Sequence, residues 1–179
     1  MQMQPHAVNF RESLSMEWIS VSQLDGSSLR SVFSCFPSGV VALCALIDGV
    51  PTGMAISSFT SVSLEPALVS ICIQKGSSTW QKLERCDWTG LSILGDSQAE
   101  ICRQLSQKTG DRFANVEWSS SPRGAVFITG AIACLECRFY KTVDAGDHVL
   151  ALLELAAHSV PQQAQPLVFH DRRFRQLAL

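Results

Sequence analysis

VVALCALIDG, residues 40–49, is an unbroken apolar run that ends in an Asp-Gly pair. A short apolar run of this kind is typical of a β-strand. Asp48-Gly49 is a strong signal for a tight hairpin, because the favoured two-residue turn needs residues that tolerate positive φ at both positions. The stretch therefore predicts a strand that turns back on itself, which is the basic unit of an antiparallel β fold.

Strand-like segments also dominate the chain on either side of this hairpin. The further predicted strands are residues 51–62, which end at a turn around Glu65-Pro66, then 67–73, 88–94, 125–140, 149–157 and 166–169. Six or more strands with only three short helices predict a mainly β fold, closed or partly closed as an antiparallel barrel.

The three helices are predicted from periodicity and capping. Apolar residues recur at i, i+3, i+4 and i+7 over residues 29–36, which predicts a short amphipathic helix with Ser28 as its N-cap. Two capping boxes, residues 78–81 and 97–100, predict where the second and third helices begin.

Length and composition indicate one globular domain. The chain has 179 residues, 46% hydrophobic and 17% charged, with a net charge of −2. This charge gives no electrostatic reason to expect nucleic acid or an anionic membrane as a partner. No apolar run is long enough to span a membrane and the N-terminus is polar, so we expect a cytoplasmic protein. Residues 1–26 read as a loosely attached arm before a domain over 27–179, and the arginines at 172, 173 and 175 read as a solvated tail.

The seven cysteines do not indicate a disulfide framework, because their number is odd. Cys134 and Cys137 form a C-x-x-C motif within an alternating stretch. Residues three apart on a strand point to opposite faces, and no second pair is spaced to complete a zinc site. We therefore expect a structural role for the pair and no metal.

Three segments carry candidate chemistry. The Ser/Thr-rich stretch GMAISSFTSVSLEP, residues 53–66, offers hydroxyls and N–H groups to a planar ring such as a flavin, or it is a half-exposed edge strand. The loop QKGSST, residues 74–79, combines a cation, a glycine and hydroxyls before a helix, which suits a phosphate group, although Ser78 can equally be a helix cap. Gly146-Asp147-His148 lies at a turn before a strand, where a histidine is structural or functional.

Together these segments resemble the flavin reductase-like, FMN-binding split-barrel family, which includes the small reductase components of two-component flavin-dependent monooxygenases. The match rests on residues 53–66, the K-x-S-S-T loop and Gly146-Asp147-His148, in that order. Supporting matches are residues 36–40, 111–114, 116–118 and 166–169. The resemblance covers about Leu29 to Leu177.

The resemblance implies a Greek-key split β-barrel that works as a homodimer, with flavin held near the subunit interface. It places Met54, Ala55, Ser57 and Ser58 at the isoalloxazine ring and Lys75, Ser77, Ser78 and Thr79 at the ribityl phosphate. It also places Phe113 beside the flavin and His148 at the nicotinamide. The family often has glycine where this chain has Leu153. Because a strand alternates its faces, we expect Leu153 to point away from the side that His148 faces.

The implied reaction passes a hydride from a nicotinamide to the flavin, so the protein's main contribution is to position the two rings. The leading hypothesis is an NAD(P)H:flavin oxidoreductase that supplies reduced FMN or FAD to a separate monooxygenase. Two alternatives stay open: a flavin-binding accessory or repurposed biosynthetic protein without turnover, and an interaction module without cofactor. The sequence does not choose FMN from FAD, or NADH from NADPH.

Overall fold

A computed structural model of the chain describes residues 18–23, 25–161 and 164–177. The helices are α1 (Gly26–Ser34), α2 (Trp80–Leu83) and α3 (Ala99–Leu105), with 3₁₀ turns at Val21–Gln23 and Asp96–Gln98. The strands are β1 (Ser38–Gly39), β2 (Val41–Ile47), β3 (Val50–Ile56), β4 (Thr60–Leu64), β5 (Ala67–Gln74), β6 (Trp88–Ile93), β7 (Trp118–Ser120), β8 (Val126–Ile128), β9 (Ala133–Ala145), β10 (His148–Ser159), β11 (Val168–His170) and β12 (Arg173–Arg175).

Seven of these strands form one antiparallel sheet in the order β3-β2-β6-β9-β10-β5-β4. Its edge strands β3 and β4 are consecutive in the chain but do not pair with each other, so the described part of the barrel is split rather than closed. Smaller sheets, β1-β11-β12 and β7-β8, flank it. The prediction of a mainly β, partly closed antiparallel barrel is confirmed.

β2 is apolar throughout because both of its faces are buried. Its odd-numbered residues from Val41 to Ala45 join a core cluster with side chains of β5, β10 and α2. Its even-numbered residues join a second cluster outside the sheet, with side chains of α3, β8 and the segment that follows α3. At the end of β2, Asp48 has φ 52° and Gly49 has φ 78°, which confirms the hairpin turn.

The helix starts predicted from capping are wrong in detail. α1 begins at Gly26, and its cap is Asp25, whose Oδ1 accepts the Ser28 N–H at 2.7 Å. At α2 the Ser77 hydroxyl, not Ser78, accepts the Trp80 N–H at 3.2 Å. At the second box the side chain of Gln98 accepts the Gly95 N–H, and Ser97 caps nothing. In each case the free N–H group donates to a nearby side-chain oxygen other than the expected one. Sequence spacing alone does not decide which of several neighbouring acceptors is used.

Two of the predicted strands are interrupted. Residues 51–62 divide into β3 and β4 at residues 57–59, because the Ser58 hydroxyl forms hydrogen bonds with the backbone of Cys72 in β5. Residues 125–140 divide into β8 and β9 at a turn in which Gly130 has φ 79°. The remaining predicted strands are confirmed, with ends shifted by a few residues.

The C-terminal arginines are not a solvated tail. Arg173 and Arg175 belong to β12, a strand that the sequence analysis missed, and Arg172 donates to the Ser31 hydroxyl of α1 at 2.9 Å. The Asp171 N–H also donates to the Ser34 carbonyl at 2.9 Å. The polar side of α1 therefore faces its own chain. The apolar side chains of Val32 and Phe33 in α1, and of Phe36 just after it, remain 59%, 69% and 79% exposed.

The cysteines differ in burial and form no disulfide among the described residues. All seven are free thiols; Cys137 is buried and Cys134 half-buried. Burial raises the pKa of the Cys44 and Cys137 thiols to about 12. Among the described residues no cluster of His, Cys, Asp or Glu is arranged to hold a metal, and no helix is long and apolar enough to cross a membrane. Of the predicted arm 1–26, residues 1–17 and 24 lie outside the described residues, and residue 26 belongs to α1.

Candidate functional site

A cleft of about 670 Å³ opens where the ends of β3 and β5 meet the start of β10. It brings together most of the residues that the sequence analysis selected: Met54, Ala55, Ser57, Ser58, Ser77, Ser78, Thr79 and His148. It is also lined by residues that the analysis did not select: Ile56, Cys72, Ile73, Gln74, Gly76, Lys108 and Arg112.

The connection between β3 and β4 forms one wall. The Ser58 hydroxyl donates to the Cys72 carbonyl at 2.8 Å and accepts the Cys72 N–H at 2.9 Å. Ser58 thus takes the place of a backbone ladder partner and fastens residues 57–59 to the edge of β5 along which β4 pairs. Its hydroxyl is committed to the fold, whereas Ser57 is exposed at the cleft. Of these two adjacent serines, Ser58 therefore has a structural role, and Ser57 keeps a hydroxyl exposed in the cleft.

The loop between β5 and α2 forms the far end of the cleft. The Ser77 hydroxyl caps α2, and its side chain lies 4.0 Å from the Met54 sulfur. In the part of the chain described, the N–H groups of Gly76 and Ser78 donate to no protein acceptor. Unpaired N–H groups in a cleft wall are what a bound anion needs. α2 is a single turn, so an anion at this end would contact the loop and its side chains and not a helix dipole.

Arg112 is the cation that organises this end. Its Nη1 donates to the Gly53 carbonyl at 3.0 Å and to the Thr79 hydroxyl at 2.8 Å, which ties the β5–α2 loop to β3. Lys108 lies beside it in the lining. With His148 these two cations are the basic side chains of the described lining, and no carboxylate is among those lining residues. The electrostatic field therefore favours an anionic ligand.

Lys75 and Phe113 lie outside this cleft. The Lys75 ammonium pairs with Asp144 at 3.1 Å, and the backbone N–H of Lys75 donates to the Asp147 carbonyl at 3.0 Å. Lys75 therefore joins the loop to the β9–β10 hairpin. Phe113 is buried in the second core cluster and lines a neighbouring, smaller cleft. Sequence reasoning missed Lys108 and Arg112 as candidate ligands; the signal was the match at residues 111–114, which includes Arg112.

His148 is the first residue of β10, where it pairs with Gln74 of β5 and lines the cleft. Its Nδ1 lies 2.8 Å from Asp147 Oδ1, and this hydrogen bond together with the charge of His148 lowers the pKa of Asp147. Leu153 does not reach the cleft: it is fully buried in the first core cluster, paired with Val69 of β5. The expected alternation of His148 and Leu153 is what the structure shows.

A second cleft of about 590 Å³ continues the first beyond Ala55, Ile56 and Ser57, which line both. Its other walls come from α3 and the C-terminal hairpin and include the rings of Phe169 and Phe174. The two rings meet edge to face, with centroids 5.6 Å apart. The end of the main cleft at Ser57 thus opens onto a surface that combines these aromatic rings with the side chains of Arg103, Arg172 and Arg173.

Comparison with known proteins identifies the family. The profile of the flavin reductase like domain matches residues 33–178. The reductase subunit HsaB of a flavin-dependent monooxygenase from Rhodococcus jostii is 32% identical over 87% of this chain and 80% of its own length. The actinorhodin polyketide dimerase of Streptomyces coelicolor is 34% identical over 86% of this chain and 87% of its own. Among solved structures, the NADH:FAD oxidoreductase SgcE6 of Streptomyces globisporus, in complex with NAD and FAD fragments, is 34% identical, with a TM-score of 0.84 over 91% of this chain and 98% of its own.

The chain belongs to the flavin reductase-like family. The family predicted from the sequence is therefore confirmed, and with it an oxidoreductase that uses flavin and a nicotinamide nucleotide.

Proposed function

We propose that this protein is an NAD(P)H-dependent flavin reductase that binds FMN or FAD in the main cleft and supplies reduced flavin to a separate monooxygenase. The observation that carries the proposal is the cleft itself. The cleft has unpaired N–H groups and cations at the end near Arg112 and hydroxyl and apolar groups at the end near Ser57. His148 also lines it. That distribution fits a ligand with an anionic tail and a planar ring.

The tail end suits the flavin phosphate. The N–H groups of Gly76 and Ser78, the free Ser78 hydroxyl and the ammonium of Lys108 can all donate to phosphate oxygens. Arg112 holds Thr79 and Gly53 in place from behind, and its second terminal nitrogen can face the ligand. Lys75, engaged with Asp144, has a positioning function on the hairpin that carries His148.

The ring end lies between residues 54–58 and the start of β10. Met54 and Ala55 offer apolar contact, and Ser57 has an exposed hydroxyl for a ring heteroatom. We assign His148 to the nicotinamide because it lines the same cleft as residues 54–58 and its ring is held against Asp147, with Nδ1 2.8 Å from Oδ1. When both nucleotides are bound, the nicotinamide supplies the hydride that the flavin accepts. The chain's own contribution is to hold the two rings in contact and to exclude water from between them.

We further propose that the protein is a homodimer. Among the described residues nothing covers the apolar side of α1, and Leu64, at the end of the edge strand β4, is 97% exposed. Exposed apolar side chains in such a group favour an interface, and a second copy supplies a self-complementary partner for them. The seven free thiols fit a reducing compartment such as the cytoplasm.

A second candidate function is a flavin-binding protein of a biosynthetic pathway that does not release reduced flavin. The observation in its favour is the similarity to a protein named as a polyketide dimerase, at 34% identity over 86% of this chain. The two candidates differ in whether free flavin is a substrate.

The distinguishing experiment measures oxidation of NADH and of NADPH in air as free FMN or FAD is added. A reductase that releases its product shows a rate that rises with free flavin and saturates. A rate that is already maximal with one bound flavin per chain supports the second candidate. No nicotinamide oxidation with either flavin contradicts both the reductase proposal and the cofactor assignment.

A further inference from the structure

The main cleft has room for one nucleotide, whereas the proposed reaction brings two together. Its volume of about 670 Å³ lies within the range of about 300–1,000 Å³ that is typical of a pocket for one small molecule. With a flavin nucleotide in this cleft, a nicotinamide that meets the flavin ring near Ser57 leaves the rest of its dinucleotide outside. The second cleft, of about 590 Å³, begins at this point, because Ala55, Ile56 and Ser57 line both clefts. The second cleft can therefore receive the adenosine half of the dinucleotide.

The lining of the second cleft is positively charged. It includes Arg103, Arg172 and Arg173, and no carboxylate is among its described residues. Arg103 pairs with Glu100, an exposed neighbour on α3, and Arg172 donates to the Ser31 hydroxyl of α1. Within residues 18–23, 25–161 and 164–177, the guanidinium of Arg173 has no hydrogen-bond or ion-pair partner. The cleft therefore favours an anion, and Arg173 is free to bind it.

The second cleft also offers flat surfaces to an aromatic base. The rings of Phe169 and Phe174 lie edge to face, and the guanidinium carbon of Arg103 lies 5.0 Å from the centre of the Phe174 ring. Guanidinium groups and phenyl rings both stack on planar aromatic groups. Val40 and Ile56 add apolar surface. A ligand that joins an aromatic base to a phosphate therefore matches this cleft better than a bare anion does.

NADPH differs from NADH in carrying a phosphate on the 2′ oxygen of the adenosine ribose, and arginine accommodates this group in other dinucleotide sites. We propose that the second cleft binds the adenosine of the nicotinamide dinucleotide, with Arg173 on the 2′-phosphate, so that the protein uses NADPH in preference to NADH. The inference rests on the proposed function, because it assumes that the nicotinamide lies at the Ser57 end of the main cleft. The adenosine of FAD carries related chemistry, and the experiment separates these two sources.

The first measurement compares kcat/KM for NADPH and for NADH at saturating FMN in the parent, Arg173→Ala and Arg173→Glu. Arg175→Ala is the matched control, because Arg175 is an exposed arginine of the same strand that does not line the cleft. We expect the parent to favour NADPH by about tenfold or more, and Arg173→Ala to lower kcat/KM for NADPH about 5- to 10-fold, as for a lost charge-assisted contact. Arg173→Glu should lower it further. The values for NADH should change less than about twofold, and Arg175→Ala should match the parent.

The second measurement needs no turnover and uses adenosine 2′-phosphate and adenosine as probes, titrated by calorimetry into the protein with FMN bound. The parent should bind adenosine 2′-phosphate about tenfold more tightly than adenosine, and Arg173→Glu should remove this difference. Adenosine 2′-phosphate should also compete with NADPH and leave the affinities for FMN and FAD unchanged. Displacement of FAD but not of FMN would assign the second cleft to the flavin nucleotide and overturn the inference.

Equal losses for NADPH and NADH in Arg173→Glu overturn the inference, since they place the arginine on a group that both nucleotides share. A parent that uses NADH as well as NADPH also overturns it, and the proposed function then stands. If the parent oxidises neither nucleotide when flavin is added, both the inference and the proposed function fail.

Discussion

Arg112 joins segments that are far apart in the chain. Its hydrogen bonds to Gly53 and Thr79 fix the two walls of the cleft relative to each other, while Lys108, four residues earlier, is left free to meet a ligand. Lys75, the cation nearest the loop in sequence, is held on Asp144 instead. Whether a cation here is structural or is proposed to bind a ligand thus depends on whether the fold places an acceptor next to it.

The first prediction tests this division. Lys108→Ala should weaken FMN binding about tenfold, equivalent to about 1.4 kcal/mol, because a charged donor to the phosphate is lost. Riboflavin, which has no phosphate, should bind Lys108→Ala as it binds the parent. Lys75→Ala should lower FMN affinity less than Lys108→Ala does, because its ammonium serves Asp144. Fluorescence titrations with both ligands give the answer, and a larger FMN loss for Lys75→Ala would return the phosphate to Lys75.

The second prediction concerns His148. His148→Ala should raise the Michaelis constant for NADH and slow flavin reduction, with flavin affinity changed by less than about threefold, because the histidine lines the cleft and we assign it to the nicotinamide. Leu153→Gly should lower stability instead, since it empties a fully buried position. Single-turnover reduction and thermal unfolding of both variants separate these effects. Faster reduction in Leu153→Gly than in the parent would show that Leu153 obstructs the site.

Much of the site could be predicted because its polar residues lie in short, recognisable segments. Residues 54–58, 77–79 and His148 are each next to a turn, and the fold brings those turns to one end of the sheet. Lys108 could not be predicted, because it lies in an irregular segment with no motif of its own. The fates of Ser58 and Lys75 could not be predicted either, since each is decided by a partner distant in the sequence: Cys72 and Asp144.

At the scale of elements, β6 and β8 approach each other at Gly90. A Cβ placed there would lie 2.1 Å from the Val126 carbonyl oxygen, a backbone atom that cannot move aside alone. Glycine is therefore required for this contact between the main sheet and the β7–β8 hairpin.

The third prediction is that Gly90→Ala lowers the free energy of unfolding by about 1–3 kcal/mol, the usual cost of overpacking. Gly39→Ala is the matched control, because no atom lies within 4 Å of the added Cβ. It should change stability by less than about 0.5 kcal/mol. Urea unfolding measures both, and a neutral Gly90→Ala would show that β8 is free to shift.

The elements themselves were predictable where a signal is local and strong. Residues 40–49 gave β2 and its turn because apolar burial and the Asp-Gly conformation agree. The helix starts were not predictable in detail, since Asp25, Ser77 and Gln98 compete with the serines of the expected caps. β12 was missed because its arginines read as solvent-exposed; they form a strand because β11 offers a free edge and α1 offers acceptors for Arg172.

In the part of the molecule that the structure describes, residues 18–23, 25–161 and 164–177, nothing covers the apolar side of α1. The fourth prediction is that light scattering at micromolar concentration returns twice the chain mass of 19.6 kDa. Phe33→Asp should shift the mass toward one chain, because it places a charge in the interface. Val50→Asp, at another exposed apolar position on the β2–β3 hairpin, should leave the dimer intact. A parent mass of one chain, or equal effects of both substitutions, would contradict this assignment of the interface.

The proposed function is a single reaction in the main cleft, the reduction of flavin by a nicotinamide nucleotide. The most direct test is anaerobic mixing of the protein, one equivalent of flavin and excess NADH or NADPH, with the flavin absorbance followed in time. We predict rapid bleaching of the oxidised flavin band with at least one of the two nucleotides, slowed in His148→Ala. A flavin band that persists with both nucleotides, at protein concentrations where flavin binding is saturated, would contradict the reductase function.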